Sequence, residues 1–316
     1  MKTLDWQIEP TLKSLVDDNY RINFAKKLKD EDILTIVREL TFDGVAPEIS
    51  ISDIKNLFDY VETNFLEKKF SGVGLEVGAG TGVFSAVLAE KKLVSQVYAI
   101  EICEEMVKLL MPKIVSQILK EDNDKVIGCI GSFDKIELEN ESVDFIFDFF
   151  SLHHSNNLDL TLSECYRILK KGGFIFCFDK ARPNYLTEED LNRMLDQEYD
   201  NEFKKHFGIP IEKKLTRRMN GEREYRLRDW QKSFQKSGFS RVQHFRLTKC
   251  ASNNLFFRTI KYILSYFSPG SQMFLNKFLS RKKTNRRFDI AWSNVIYSRH
   301  IKRFPKEISL LIAYKD

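Results

Sequence analysis

Cysteine, tryptophan, long apolar runs and surplus charge are what this chain has little of, and each shortage removes a class of protein. Its 316 residues hold five cysteines, Cys103, Cys129, Cys165, Cys177 and Cys250, odd in number and scattered, with no Cys-x-x-Cys pair. That pattern excludes a disulfide scaffold and suggests no zinc site; it reads as reduced structural thiols in a cytoplasmic protein. No window approaches eighteen uninterrupted apolar residues, so no transmembrane helix is expected. The opening Met-Lys-Thr-Leu-Asp-Trp carries an acid early and no apolar core, which does not read as a signal peptide. The balance of 50 Lys+Arg against 45 Asp+Glu leaves +5, too slight to imply nucleic acid by itself. No internal repeat and no low-complexity linker is found.

What is present is globular in character, with 43% hydrophobic and 30% charged residues. Phenylalanine is abundant, at 26 against three tryptophans, which suits packed helices and an apolar pocket and equally a base-composition bias. Ile33, Ile36, Val37 and Leu40, then Ile54, Leu57, Phe58, Val61, Phe65 and Leu66, repeat at helical spacing, so residues 1–70 read as a helical extension. From Gly72 onward short apolar runs alternate with helical stretches. Strands are expected at Val73–Val77, Gln96–Ile100, Val126–Ile130, Val143–Phe147 and Phe174–Phe178, and helices near 83–90, 104–119 and 158–169. That alternation predicts a parallel sheet covered on both faces. Lys171-Gly172-Gly173 is expected to cap the third of these helices.

The core therefore spans 71–181. A charged insertion, 182–228, follows; 229–250 returns to the core with a helix and a sixth strand, Val242–Leu247. A second insertion, 251–306, precedes the last strand, within 307–316. In that insertion Phe256, Ile260, Ile263 and Phe267 form an apolar stripe, and Arg281, Lys282, Lys283, Arg286 and Arg287 form a basic cluster. A helical pair packed on the core explains this, as does a lid over a bulky or anionic substrate. Attachment to an acidic partner or a membrane surface explains it too.

The chemistry concentrates in Gly74-Leu75-Glu76-Val77-Gly78-Ala79-Gly80-Thr81-Gly82. A glycine-rich turn ending a first strand lets the backbone approach a ligand, because no Cβ intrudes. The spacing is Gly-x-Gly-x-Gly, and Glu76 stands two residues before the first glycine. A pyrophosphate would be repelled by that carboxylate; a cationic amino acid would be held.

With Glu76, Gly78, Gly80 and Gly82 in the pattern acid-x-Gly-x-Gly-x-Gly, the chain resembles the class I methyltransferases that use S-adenosyl-L-methionine. Within them it is similar to the small-molecule branch that includes the ubiquinone-biosynthesis enzymes. The resemblance covers roughly 70–180, resuming at about 224–247 and in the last strand. It implies an α/β fold: a Rossmann-like, seven-stranded sheet with helices on both faces. Glu101, about twenty residues beyond the glycines, matches the acid that grips both ribose hydroxyls, and Ile102 and Met106 would lie near the adenine. Where the family shows Gly-Asp after the third strand, this chain has Gly131-Ser132-Phe133-Asp134. Ser132 would then accept from the adenine, Phe133 would pack on it, and Asp134 is a substitute for the missing acid.

Asp148 and Phe149, leaving the fourth strand, complete the cofactor set with Ala79. Glu164-Cys165-Tyr166-Arg167-Ile168-Leu169-Lys170-Lys171-Gly172-Gly173 matches the family's Glu-x-x-Arg-x-Leu-x-x-Gly-Gly. The acceptor would enter near His153, His154 and Asp179, with Glu224 and Tyr225 reaching in from the first insertion. Each has a plainer reading, as a packed ring, an ion-pair partner or a turn. The expected acceptor is an oxygen or nitrogen of a small molecule or metabolite, such as a sugar or natural-product scaffold. RNA methylation and a non-catalytic cofactor-binding role are the alternatives. Against RNA, there is no broad basic face and no Asn/Asp-Pro-Pro-aromatic signature.

Overall fold

A computed structural model describes residues 1–6, 8, 20–250, 253–280, 294–305 and 307–316. The strands are β1 (Lys2–Asp5), β2 (Gly72–Val77), β3 (Val94–Glu101), β4 (Val126–Ile130), β5 (Val143–Phe149), β6 (Leu169–Asp179), β7 (Ala181–Arg182), β8 (Tyr225–Arg226), β9 (Arg241–Thr248), β10 (Val295–Tyr297) and β11 (Ile308–Tyr314). Nine of them form one sheet in the order β1-β4-β3-β2-β5-β6-β11-β9-β10, and β7 pairs with β8 apart from it. Every pair in the large sheet is parallel except those made by β11, which runs antiparallel to both β6 and β9. The α/β architecture expected from the sequence is the one found, with nine strands where seven were expected.

The two additional strands are short edges. Lys2–Asp5 adds beside Ile127–Ile130, so the chain opens on a strand rather than on the helices read there. Val295–Tyr297 adds beside Arg246–Thr248 at the far edge. Four and three residues are too few for periodicity to register, and short strands are a common way to end a sheet.

The phenylalanines have a place. Phe145, Phe147 and Phe149 alternate along β5, and Phe174, Phe176 and Phe178 along β6, so both triplets stand on one face. Phe58 from the helix Ile51–Asn64 sits edge-on to Phe70, Phe84, Phe147 and Phe176, with ring centroids 5.0–6.1 Å apart. Edge-to-face contacts of this kind suit the ring quadrupole. The opposite face is aliphatic, with Leu75, Val77, Ile100, Ile146 and Ile175 under Leu162, Trp230 and Phe234.

The Glu-x-x-Arg motif proves to be a clamp. Arg167 donates to the carbonyls of Ile136 and Leu138, both at 2.7 Å, and pairs with Glu164, which accepts from the Ile136 amide. It ties the loop after β4 to the helix Leu158–Ile168. The following glycines do not cap that helix. The chain becomes extended at Leu169, and the pairing with β5 jumps from Val143–Leu169 to Phe145–Phe174. Gly172, at φ +73°, makes the resulting bulge, a backbone shape that suits a residue without Cβ.

In the second insertion the helix Leu255–Leu264 buries none of its residues, and Phe256, Ile260, Ile263 and Phe267 are all exposed. The apolar stripe finds no surface to lie on among the described residues. The basic cluster 281–287 lies outside them.

Candidate active site

The site sits where the parallel strands end, as open α/β sheets dictate. Between β2 and the helix Val83–Ala89, the turn places Gly78, Gly80 and Gly82 at φ +65°, +52° and +74°. A Cβ on Gly78 would fall 2.4 Å from the Ser151 side chain, and one on Gly82 would fall 2.5 Å from Met111. Space below the turn therefore requires those two glycines. At Gly80 a Cβ would meet nothing within 4 Å, so its left-handed conformation and the open side it faces are what glycine serves there. The Ala79 amide donates to the Ile100 carbonyl at 2.7 Å, which locks the turn to β3.

Glu101, ending β3, accepts from the Gly80 amide at 2.8 Å and from the Cys103 amide at 2.9 Å. Each carboxylate oxygen thus uses one lone pair on the protein and keeps another for a ligand. Ile102 is half-buried beside it, and Met106 is buried at the start of the following helix.

Glu76 behaves differently. It is almost wholly buried, and among the described residues its side chain accepts only from Ser85. Burial pushes its pKa up to about 8, against the smaller opposing effect of the Ser85 hydrogen bonds.

Beyond β4, the Ser132 hydroxyl accepts from the Asp134 amide at 3.1 Å, and Phe133 lies near the glycine turn. Asp134 is turned away, taking hydrogen bonds from Ser155, Thr161 and Asn156, so it holds the loop to the helix Leu158–Ile168. Asp148 is fully buried. Its Oδ1 accepts from the Ser151 and Leu152 amides at 2.9 and 2.8 Å, and its Oδ2 has no hydrogen-bond partner among the described residues. Burial and then the charge of Asp179 hold its pKa well above the carboxylate range. Phe149 packs into the aromatic layer, 4.3 Å from Phe84 and 5.1 Å from Phe150.

His153 and Asp179 come together as a buried pair: Nδ1 lies 2.7 Å from Oδ1, and the His153 amide donates to Oδ2 at 3.0 Å. Burial alone would raise the Asp179 pKa, but His153 and the Lys180 amide outweigh it and the pKa is lowered. An ionised Asp179 has no proton to give, so the hydrogen shared by the pair is carried on His153 Nδ1. The His154 ring lies tilted at 40° to that of His153, with centroids 4.3 Å apart. Burial, then the neighbouring His153, lowers its pKa to about 3, so it stays neutral.

The first insertion closes over this pair. The Arg223 amide donates to the His153 carbonyl at 2.9 Å. Glu224 is spent on Arg182, which grips both its oxygens, and on Arg217 at 3.3 Å. Tyr225 lies in β8 with its ring edge-on to Trp230. The residue brought to the histidines is instead Glu222. It takes the Lys180 ammonium at 2.5 Å and the Tyr199 hydroxyl. Burial would raise its pKa, yet Lys180 and Tyr199 bring it down to about 2. Sequence reasoning passed over Glu222 although it stands two residues from Glu224, on the same side of an extended run. It also missed the N-terminal contribution: Thr41 shares a hydroxyl hydrogen bond of 3.0 Å with Thr81 of the turn, and Arg21 lies within electrostatic reach of both Glu101 and His154.

Residues 75–177, from the glycine turn to β6, match the family model described as Methyltransferase domain. The core of the chain is thus similar to a methyltransferase domain. Its resemblance to curated proteins covers between 31% and 47% of the chain. The chain is 32% identical over 99 residues to malonyl-[acyl-carrier protein] O-methyltransferase of Methylococcus capsulatus, covering 31% of this chain and 34% of that protein. It is 26% identical over 112 residues to demethylmenaquinone methyltransferase of Roseiflexus castenholzii, covering 35% and 44%. The chain thus spans less than half the length of the curated relatives it matches. Among solved structures, phosphoethanolamine N-methyltransferase 2 of Haemonchus contortus with S-adenosyl-L-methionine superposes at a TM-score of 0.47 and 16% identity, covering 92% of this chain and 60% of that one.

The cofactor of such a domain is S-adenosylmethionine, and the residues present fit it. The turn is open at Gly80, Glu101 keeps free lone pairs for two hydroxyls, and the buried acid Glu76 lies behind the turn without a cationic partner among the described residues.

Proposed function

We propose that this protein transfers a methyl group from S-adenosylmethionine to an oxygen or nitrogen of a small-molecule acceptor. The observation that carries the reading is the left-handed glycine turn joined to Glu101 through the Gly80 amide. Both curated relatives are named for small or carrier-borne acceptors, which supports the acceptor class. Glu101 would hold the ribose, Glu76 the ammonium end, and Ile102, Met106, Ser132 and Phe133 the adenine. When bound, the cofactor supplies an electrophilic methyl group.

The chain's own part is to aim the acceptor lone pair, exclude water and take a proton. His153 is the base in this scheme, because Asp179 fixes its Nδ1 hydrogen and would stabilise the imidazolium that forms. His154, neutral throughout, orients the acceptor by hydrogen bonding, and Asp179 is a positioning residue. Glu222 and Lys180 neutralise each other beside the histidines and hold the insertion closed. Glu224 keeps the same insertion in place through Arg182, and Tyr225 lines its inner side.

S-adenosylhomocysteine should bind and raise the melting temperature, since a ligand selective for the folded state stabilises it by about 2.7 kcal/mol at a hundred times its Kd. Absence of both binding heat and a thermal shift at high ligand concentration would refute the assignment. In an acceptor screen, Asp179→Asn should lose on the order of tenfold or more in turnover, because an amide cannot accept from both the His153 amide and Nδ1. Its affinity for S-adenosylhomocysteine should move less than about threefold. An equal loss in both would show that Asp179 merely holds the fold.

A further inference from the structure

An ordinary surface helix turns its apolar side inward. The helix Leu255–Leu264 is mounted the other way round. On a wheel of roughly 100° per residue, Tyr262, Leu255, Tyr266, Ile263, Phe256, Phe267, Ile260 and Phe257 (taking in the turn just after the helix) spread over roughly 220° of arc. Arg258 and Lys261 share the remainder with Ser265. The side that meets the protein is the polar one: the Lys261 ammonium lies 5.5 Å from the centroid of Tyr297 in β10. The apolar side faces out, with Phe256 67%, Tyr266 57% and Ile263 53% exposed, and Phe274 of the next helix 71% exposed. Contiguous exposed apolar surface of this extent marks a contact with something else.

Charge says what that something is. Residues 251–306 carry twelve Lys or Arg and a single acid, Asp289, for a local net charge of +11. The whole chain is at +5, so the remainder is at −6. The basic residues begin within the helix, at Arg258 and Lys261, and continue after it through the run Arg281–Arg287 to Arg299, Lys302 and Arg303. Arg299 itself lies 4.8 Å over the Tyr266 ring, which brings a cation to the edge of the apolar surface. Phenylalanine and isoleucine for the acyl boundary, tyrosines at its rim and cations for headgroups is the composition of a helix lying in a bilayer interface. No helix among the described residues is long and apolar enough to cross a membrane, so the contact is peripheral.

We propose that residues 253–277 dock this protein on the surface of an anionic lipid bilayer through the outward side of the helix Leu255–Leu264. The surface lies beyond the carboxyl end of β9, at the same end of the sheet as the glycine turn. A membrane-held protein would therefore present its acceptor side toward the lipid.

The test is sedimentation of the full chain with vesicles of phosphatidylcholine containing about one third phosphatidylglycerol, beside vesicles of phosphatidylcholine alone. The expected result is binding to the anionic vesicles, weakened by salt. The triple variant F256S/F257S/I263S should bind on the order of tenfold or more weakly, with little change in melting temperature because those side chains are more than half exposed. Failure of the wild-type chain to bind anionic vesicles overturns the proposal. Undiminished binding by the triple variant overturns it as well, leaving charge attraction without insertion. Two further outcomes replace it. If the triple variant converts a concentration-dependent dimer into a monomer, the arc is an interface between copies. If the chain binds RNA and not vesicles, the cations serve nucleic acid.

Discussion

Replacing Glu101 with alanine should weaken binding of S-adenosylhomocysteine by on the order of a hundredfold. Hydrogen bonds to a charged group contribute about 1.5–3 kcal/mol each, and two ribose hydroxyls would lose theirs together. The two backbone amides that Glu101 accepts from, Gly80 and Cys103, would lose their partner at the same time. Because Glu101 is only partly buried, water can reach those amides, and the fold should survive with a modest fall in melting temperature. Glu101→Gln keeps the size and one acceptor oxygen, so its affinity should fall in between. Calorimetric titration of the three proteins checks the order. Equal affinities, with normal circular dichroism, would remove Glu101 from the cofactor site. A large loss of fold in Glu101→Ala with full affinity in Glu101→Gln would make it a brace for the turn alone.

What the sequence made legible follows from how local each feature is. The five parallel strands and the turn could be read because short β-branched and aromatic runs bounded by glycine carry their own signal. All five strands appear where expected, β6 beginning several residues early because the Gly172 bulge interrupts it. The edge strands β1 and β10 were illegible because their pairing partners, not their own residues, make them strands.

The same division runs through the site. Glu76, Gly78, Gly80, Gly82 and Glu101 sit at fixed distances along a βαβ unit, and the structure brings them to one place. His153 and Asp179 were named separately, and only the sheet shows that they form a pair. Glu224 was named and Glu222 was not, because nothing local distinguishes two acids at alternate positions; Lys180 and Arg182, each forty-two residues away, decide where each acid goes. Arg21 and Thr41 come from an extension whose sequence says helix and gives no hint of where it lands. The outward helix Leu255–Leu264 shows the limit in another form: amphipathicity is visible in a sequence, but which side faces the protein is a property of the fold.

The second large effect concerns Glu76 and has a definite sign with pH. Its folded pKa is raised to about 8 by burial, whereas an ordinary glutamate titrates near 4.5. Between those values the unfolded chain has released a proton that the folded chain still holds. Stability contributed by the protonated side chain is therefore full below about pH 4.5 and is lost as pH rises through about 8. Glutamine cannot titrate, so the ligand-free Glu76→Gln protein should match the wild type at pH 5 and melt higher at pH 8.5. The difference should amount to a few kcal/mol, as follows from a shift of more than three units at about 1.4 kcal/mol each.

The cofactor inverts the preference. An ammonium group beside Glu76 favours the ionised form, so binding near neutral pH must expel the Glu76 proton. The affinity of the wild-type protein for S-adenosylhomocysteine should rise by up to about tenfold per unit between pH 5.5 and 7.5. Titrations in buffers of different ionisation enthalpy should show release of up to about one proton per site. In Glu76→Gln both the pH dependence and the proton release should vanish, and affinity at pH 7.5 should be lower than in the wild type. A wild-type affinity that is flat across this range, with no proton released, would mean that the buried acid supports the turn through Ser85 and never meets the ligand's charge.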